Sequence, residues 1–283
     1  MLVIFNPTAG ARRRRKLAMV LKELARRGCA VTLRATGARG DAERIARDAD
    51  PAAFDVVAVA GGDGTINEVI NGLADSSLPL ALIPLGTANV LANEAGLTLA
   101  DAARTIAAGT ARPIHLGEAN GRRFAMMLGI GIDARIVDGI DLRLKRLAGK
   151  LAYVVSGIES VLNYRPVRYD VAIDGRPYAA AGVIVAKGHF YGGRFVAARR
   201  ARLDAPTLHA VLMERPGRWN VLRYGAAIAR GRLDSLADVR IVEGRAIVID
   251  GPVGETVQSD GDLACALPLR IGLAEKPLFL FSP

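Results

Sequence analysis

At 283 residues, 51% hydrophobic and 23% charged, the chain is long enough for two domains with a sizeable core, and its composition excludes a disordered polymer. Its apolar runs, such as 178–186, fall far short of the ~20 residues that a membrane-spanning helix needs. A net charge of +10 points to anionic partners such as a lipid surface or phosphorylated substrates; nucleic acid is disfavoured, since aromatics are only 5% and no recognisable motif sets them among the basic runs.

Residues 2–5 read as a strand, entered directly from the N-terminus with no basic leader region or cleavage site, so a cytoplasmic protein is expected. Leu17, Val20, Leu21 and Leu24 follow at helical spacing, with Gly28 as a stop. A strand over 30–33, a short helix over 41–48 and a buried strand over 55–60 come next. Ile66, Val69, Ile70 and Leu73 then recur at i, i+3, i+4 and i+7, one clean apolar face. A strand at 80–83 and helical patterns over 88–95 and 99–107 complete this first region. Such alternation predicts a parallel sheet covered on both faces.

After residue 115 the pattern changes to hairpins, with strands over 167–173, 183–186, 208–213, 239–242, 246–249 and 267–271. One basic helical stretch, 141–162, interrupts them. The expected fold is therefore α/β: a parallel-sheet domain over 1–115, then a mainly antiparallel β domain over 116–276. The apolar 278–281 is a candidate closing strand, which would return 277–283 to the first domain. Cys29 and Cys265 are too far apart in sequence, and too apolar in their surroundings, to suggest a disulfide framework or a metal pair. His115, His189 and His209 form neither ligand spacing nor a triad, and are read as structural or surface residues.

The chemistry concentrates in loops. Gly61-Gly62-Asp63-Gly64-Thr65 lies between a buried strand and an amphipathic helix, where parallel sheets bind ligands. Its glycines permit positive φ and close backbone approach, and the helix that follows offers free N–H groups. Thr65 can cap that helix or donate to a phosphate. Asp63 would repel bare phosphate unless Mg²⁺ lay between them, or unless it accepted a proton from an attacking hydroxyl; both point to phosphoryl transfer. Asn6-Pro7-Thr8-Ala9-Gly10 and Pro84-Leu85-Gly86-Thr87-Ala88-Asn89 repeat the composition at two other strand ends.

These segments, NPTAG, GGDGTINE and PLGTANVLA in that order, resemble the diacylglycerol kinase catalytic-domain family, which includes bacterial lipid kinases and the sphingosine and ceramide kinases. The resemblance spans essentially the whole chain. It implies an N-terminal α/β nucleotide domain, a C-terminal β-sandwich and an active site in the cleft between them. It places ATP on Asn6, Pro7, Thr8, Ala9, Gly10, Thr36, Gly61, Gly62, Asp63, Gly64, Thr65, Asn67, Glu68, Gly86, Thr87 and Asn89. Gln258-Ser259-Asp260-Gly261-Asp262 is similar to the family's Q-x-D-G-E segment, which makes Asp260 the expected general base, with Asp262 in the usual Glu position. Without the family, a plain Ser-Asp-Gly turn is the better reading there.

The resemblance also implies a structural Mg²⁺ at Asp204, although Ala205 replaces the usual glycine, and Val90 stands where many members carry Asp. Two basic segments suit an anionic surface: Arg12 to Lys16, five cations opening the first helix, and the leucine- and lysine-bearing 142–151. A solvated helix face and packing on the sandwich are the respective plain alternatives. Gly129-Ile130-Gly131-Ile132-Asp133-Ala134 matches a dinucleotide fingerprint but is read as close packing or cleft lining. The expected activity is an ATP- and Mg²⁺-dependent lipid kinase, peripherally bound to membrane, with a homodimer left open. The alternatives are an NAD kinase-like phosphotransferase and a non-catalytic nucleotide- or lipid-binding regulator.

Overall fold

The computed structural model describes residues 1–7, 11–131 and 166–283. Thr8, Ala9, Gly10, the segment 132–134 and the basic stretch 141–162 lie outside them. The chain divides into two compact units, Met1–Leu116 with Glu275–Pro283, and Gly117–Ala274.

The first unit is built on one six-stranded sheet. Its strands are β1 (Leu2–Phe5), β2 (Thr32–Ala35), β3 (Val57–Gly61), β4 (Leu80–Pro84) and β5 (Ala111–Ile114), joined by the C-terminal β20 (Leu278–Phe281) in the order β2-β1-β3-β4-β20-β5. All neighbours are parallel except β20 and β5. Every residue of β1, β3 and β4 is buried. Strands covered on both faces need unbroken apolar runs, which is why VAVAG and LALIP do not alternate.

The helices of this unit are α1 (Ala11–Arg26), α2 (Asp41–Arg47), α3 (Asp63–Gly72), α4 (Val90–Glu94) and α5 (Ala102–Ala108). α1 buries Leu17, Val20 and Leu24 and leaves Arg12, Arg14, Arg15 and Lys16 in solvent. α3 buries Ile66, Val69 and Ile70 and packs on α2 so closely that a Cβ on Gly72 would strike the Glu43 carbonyl oxygen. The strand order makes the chain leave β1 toward β2 and cross back to β3. The C-terminal ends of β1 and β3 therefore form a topological switch point.

The second unit contains two antiparallel six-stranded sheets. One, ordered β10-β9-β16-β19-β6-β7, comprises β6 (Gly117–Ala119), β7 (Arg122–Phe124), β9 (Tyr169–Ile173), β10 (Arg176–Ala180), β16 (Ile247–Asp250) and β19 (Leu269–Leu273). The other, ordered β15-β14-β11-β8-β17-β18, comprises β8 (Met127–Ile130), β11 (Gly182–Ala186), β14 (Leu208–Met213), β15 (Val239–Gly244), β17 (Thr256–Ser259) and β18 (Asp262–Ala266). Val183, Val185, Leu208 and Leu212 from the second share one core with Val171, Ile173, Ile249 and Leu269 from the first, the arrangement of a β-sandwich.

A short hairpin, β12 (Phe190–Tyr191) with β13 (Phe195–Val196), and a helix, α6 (Arg218–Ala229), sit outside the two sheets. The sequence reading did not anticipate α6, because its apolar residues point in two directions. The dinucleotide-like segment begins in β8, where Gly129 pairs with Ile184 and Gln258 as an ordinary strand residue. Both cysteines are free thiols. His209 is buried in β14, and the loss of solvation holds its imidazole below the usual range despite the nearby Glu243.

Candidate active site

The loops that follow β1, β3 and β4 are fastened to one another. The Asn6 amide donates to Thr65 Oγ1 at 3.1 Å, and the Asn6 N–H donates to the Ala60 carbonyl at 3.2 Å. A Cβ on Gly86 would fall 2.5 Å from Gly62 Cα and 2.6 Å from Asn89 Oδ1. Gly62 has φ −103°, and neither Gly61, Gly62 nor Gly86 adopts positive φ. These glycines serve the close approach of two loops, which corrects the expectation of left-handed backbone.

Asp63 opens α3, and its carboxylate reaches across to the next loop. Oδ2 accepts the Asn89 N–H at 2.9 Å and Oδ1 accepts the Val90 N–H at 2.6 Å. An anion thus satisfies two of the orphan donors that begin α4. This is the physical reason for a carboxylate inside a glycine loop. Val90 contributes through its backbone, so the absence of an Asp side chain does not affect this bond. Asn89, at φ 49°, donates its amide to the Gly86 carbonyl at 3.0 Å, while its Oδ1 is buried with no partner among the described residues. That orphan is an acceptor, so it requires a donor such as a water; a phosphate oxygen would not satisfy it.

The remaining predicted positions divide between loop and support. Thr87 is exposed and lies 3.4 Å from the Arg13 guanidinium, which ties the basic start of α1 to this loop. Thr36 is buried, with its N–H on the Phe5 carbonyl at 2.9 Å. Glu68 accepts the Gly40 and Ala42 N–H groups at 3.0 and 3.2 Å, at the start of α2. Asn67 accepts from the Asn71 amide within α3. Gly64 lies in the first turn of α3, and Pro7 ends the described part of the first loop.

In the second unit, Asp260 (φ 50°) and Gly261 (φ 88°) form the two-residue turn between β17 and β18. Any Asn-Gly or Asp-Gly pair would make that turn; what the carboxylate does goes further. Oδ2 accepts the Ala125 N–H at 2.8 Å, and Oδ1 accepts those of Met126 and Met127 at 2.9 and 3.0 Å. Gln258, buried beneath the turn, accepts the Gly261 N–H at 2.9 Å. Asp262 is partly exposed, and its carboxylate has no hydrogen bond or ion pair among the described residues. The turn therefore carries one carboxylate fixed in direction and a second that is available.

The cation expected at Asp204 does not fit this geometry. Both Asp204 oxygens are taken by Arg202, at 2.9 and 2.8 Å, and this bidentate pairing holds the carboxyl below its usual range. The neighbouring loop carbonyls have a cation already: Lys187, fully buried at the end of β11, donates its ammonium to Arg202 O at 2.5 Å and Ala205 O at 2.9 Å. Among the described residues no group of three or more His, Cys, Asp or Glu could hold a metal ion. Sequence reasoning missed Lys187, although a lysine closing the apolar run VIVA was a visible signal. It also missed the Ala125, Met126 and Met127 donors, for which no side chain gives a sign.

The chain is thus a two-domain protein: an α/β unit with interlocked strand-end loops, and a β-sandwich unit whose β17–β18 turn presents a fixed carboxylate. Residues 1–119 match the diacylglycerol kinase catalytic domain, and residues 126–281 match the YegS C-terminal NAD kinase beta sandwich-like domain. The chain is 32% identical over 276 residues to the diacylglycerol kinase of Bacillus subtilis (strain 168), covering 94% of this chain and 90% of that one. It is 31% identical over 299 residues to a Pseudomonas aeruginosa PAO1 protein named "Probable lipid kinase YegS-like", covering 98% and 97%. A crystal structure of a diacylglycerol kinase from Bacillus anthracis str. Sterne superimposes with a TM-score of 0.81 at 26% identity, covering 100% of this chain and 96% of that one. The chain belongs to the diacylglycerol kinase family of lipid kinases.

Proposed function

We propose that the protein transfers the γ-phosphate of ATP to the hydroxyl of a membrane lipid, with a diacylglycerol-like alcohol as the first acceptor to test. The observation that carries this reading is Asp260: a carboxylate held by three backbone N–H groups in a turn that required no carboxylate at all. An alcohol is a poor nucleophile and gains from a base in fixed position. In the proposed reaction the lipid oxygen bonds to the γ-phosphorus as the bond to the ADP oxygen breaks. The hydroxyl proton passes to the Asp260 carboxylate, whose direction the Ala125, Met126 and Met127 N–H groups fix. Asp262 is the second candidate for that proton.

The loops around Asn6, Gly62 and Gly86 hold the nucleotide in this reading, and the Asp63 carboxylate keeps two of them in register. Mg²⁺, when bound with ATP, would neutralise phosphate charge and align the reacting oxygens. Asn89 Oδ1 supports its presence, because the waters of a hydrated cation supply the donor that this buried acceptor lacks.

The test is transfer of labelled phosphate from ATP to the host's total lipid extract, with Asp63→Asn and Asp260→Asn as controls and the product identified by mass spectrometry. NAD is included as an acceptor to separate the NAD kinase-like alternative. Absence of lipid-stimulated ATP consumption across a broad lipid panel would overturn the proposal and favour a non-catalytic binding role.

A further inference from the structure

α6 differs from an ordinary surface helix in presenting apolar side chains to solvent as well as to the interior. Its inner side buries Tyr224 and Ala227, while Trp219 is 82% exposed and Leu222 46%. Trp219, Leu222, Ala226 and Ala229 recur at i, i+3, i+7 and i+10, one apolar stripe along the solvent side. β13 packs against this helix and adds Phe195, itself 48% exposed.

The helix is not free to roll this stripe inward. The Tyr224 hydroxyl donates to Asp238 Oδ2 at 2.6 Å, and the Arg223 guanidinium pairs with the same carboxylate. Arg215 donates its N–H to Tyr224 at 3.2 Å. A buried polar anchor therefore fixes which side faces out, and that side carries the chain's single tryptophan.

Charge identifies the occupant. From 215 to 233 the chain has five arginines and no acidic residue. Arg223 is committed to Asp238 and Arg215 lies 3.9 Å from the same carboxylate, but Arg218, Arg230 and Arg232 are exposed around the stripe. A second copy of this face would set arginines against arginines. A bilayer with anionic headgroups complements both features: arginines meet phosphate, while Trp219 and Leu222 enter the headgroup–acyl boundary.

We propose that the outward face of α6, with Phe195 beside it, docks the protein onto anionic phospholipid membranes. The need to reach a bilayer rests on the lipid-kinase reading, but docking itself does not depend on turnover.

Trp219 is its own reporter. The native protein is titrated with phosphatidylglycerol–phosphatidylcholine vesicles and with phosphatidylcholine vesicles alone, and tryptophan emission is followed together with co-sedimentation. Docking through α6 predicts a blue shift with the anionic vesicles, quenching by acyl-brominated lipid, and weakening with salt. Trp219→Ser with Leu222→Ser should lower vesicle affinity about tenfold or more, given the apolar surface withdrawn, and Arg218→Glu with Arg230→Glu should remove the preference for anionic lipid. Both pairs lie on the surface, so an unchanged melting curve is the control.

Unshifted emission, or undiminished co-sedimentation of the serine pair, would overturn the inference and move any membrane contact elsewhere. Concentration-dependent self-association abolished by the serine pair would equally overturn it, in favour of a second copy. If vesicles bind but no lipid is phosphorylated, the kinase reading fails while this one stands. If phosphorylation of a detergent-dispersed acceptor proceeds without vesicle binding, the reverse holds.

Discussion

Replacing Asp260 with asparagine exchanges one carboxylate oxygen for an amide that must face an N–H donor, either that of Ala125 or those of Met126 and Met127. The variant should therefore lose stability as well as chemistry, by about 1–3 kcal/mol for a stranded buried donor. Phosphate transfer should fall by about 10²–10⁴ as the base is lost. Asp262→Asn separates the two effects, because its carboxylate has no partner to lose among the described residues. Its urea denaturation midpoint should match the parent, and its transfer rate should fall less than that of Asp260→Asn. A larger fall for Asp262→Asn would make Asp262 the base. Gly86→Ala probes the other unit: its Cβ would sit 2.5 Å from Gly62 Cα, against backbone that cannot rotate away. A cost of about 1–3 kcal/mol is expected, with weaker nucleotide binding by calorimetry as the two loops separate.

Lys187 and α6 show how single side chains fix whole elements. The Lys187 ammonium holds the 202–205 loop from inside, so Lys187→Met should leave carbonyls without donors and cost about 2–5 kcal/mol. The melting temperature of the native chain should be the same in Mg²⁺ and in chelator; a rise on adding Mg²⁺ would show that the loop takes a metal after all. For α6, hydrogen bonding from Arg223 lowers the Asp238 carboxyl to about 2, and burial raises the Tyr224 phenol to about 12. The Asp238 contribution is complete above 3.8, its unfolded value, and is lost as pH falls from there toward about 2. The Tyr224 contribution is present below 10.0 and is lost as pH rises toward about 12. Asp238→Asn should flatten the acid limb of a stability–pH profile measured by urea denaturation. An unchanged acid limb would remove Asp238 from the anchor.

Across the molecule, legibility in the sequence followed chemistry. Strands with both faces buried and the apolar face of α3 could be read because burial there has a single period. The interlocked loops could be located from their glycines, threonines and asparagines at strand ends. Their reason could not, since Asp63 and Asp260 both act on backbone N–H groups that any residue supplies. α6 escaped because an apolar stripe on its outer side blurs the pattern of its inner one. The metal at Asp204 was implied by the resemblance alone, and sequence does not reveal that Arg202 pairs with both its oxygens or that the Lys187 ammonium holds the carbonyls beside it.

The most direct measurement is labelled phosphate transfer from ATP into lipid by the native chain, Asp63→Asn and Asp260→Asn, with the folding of each checked by circular dichroism. A phosphorylated lipid alcohol is expected with the native chain, with near-complete loss in both folded variants. Full transfer by Asp260→Asn, or no lipid-dependent transfer by the native chain, would contradict this expectation.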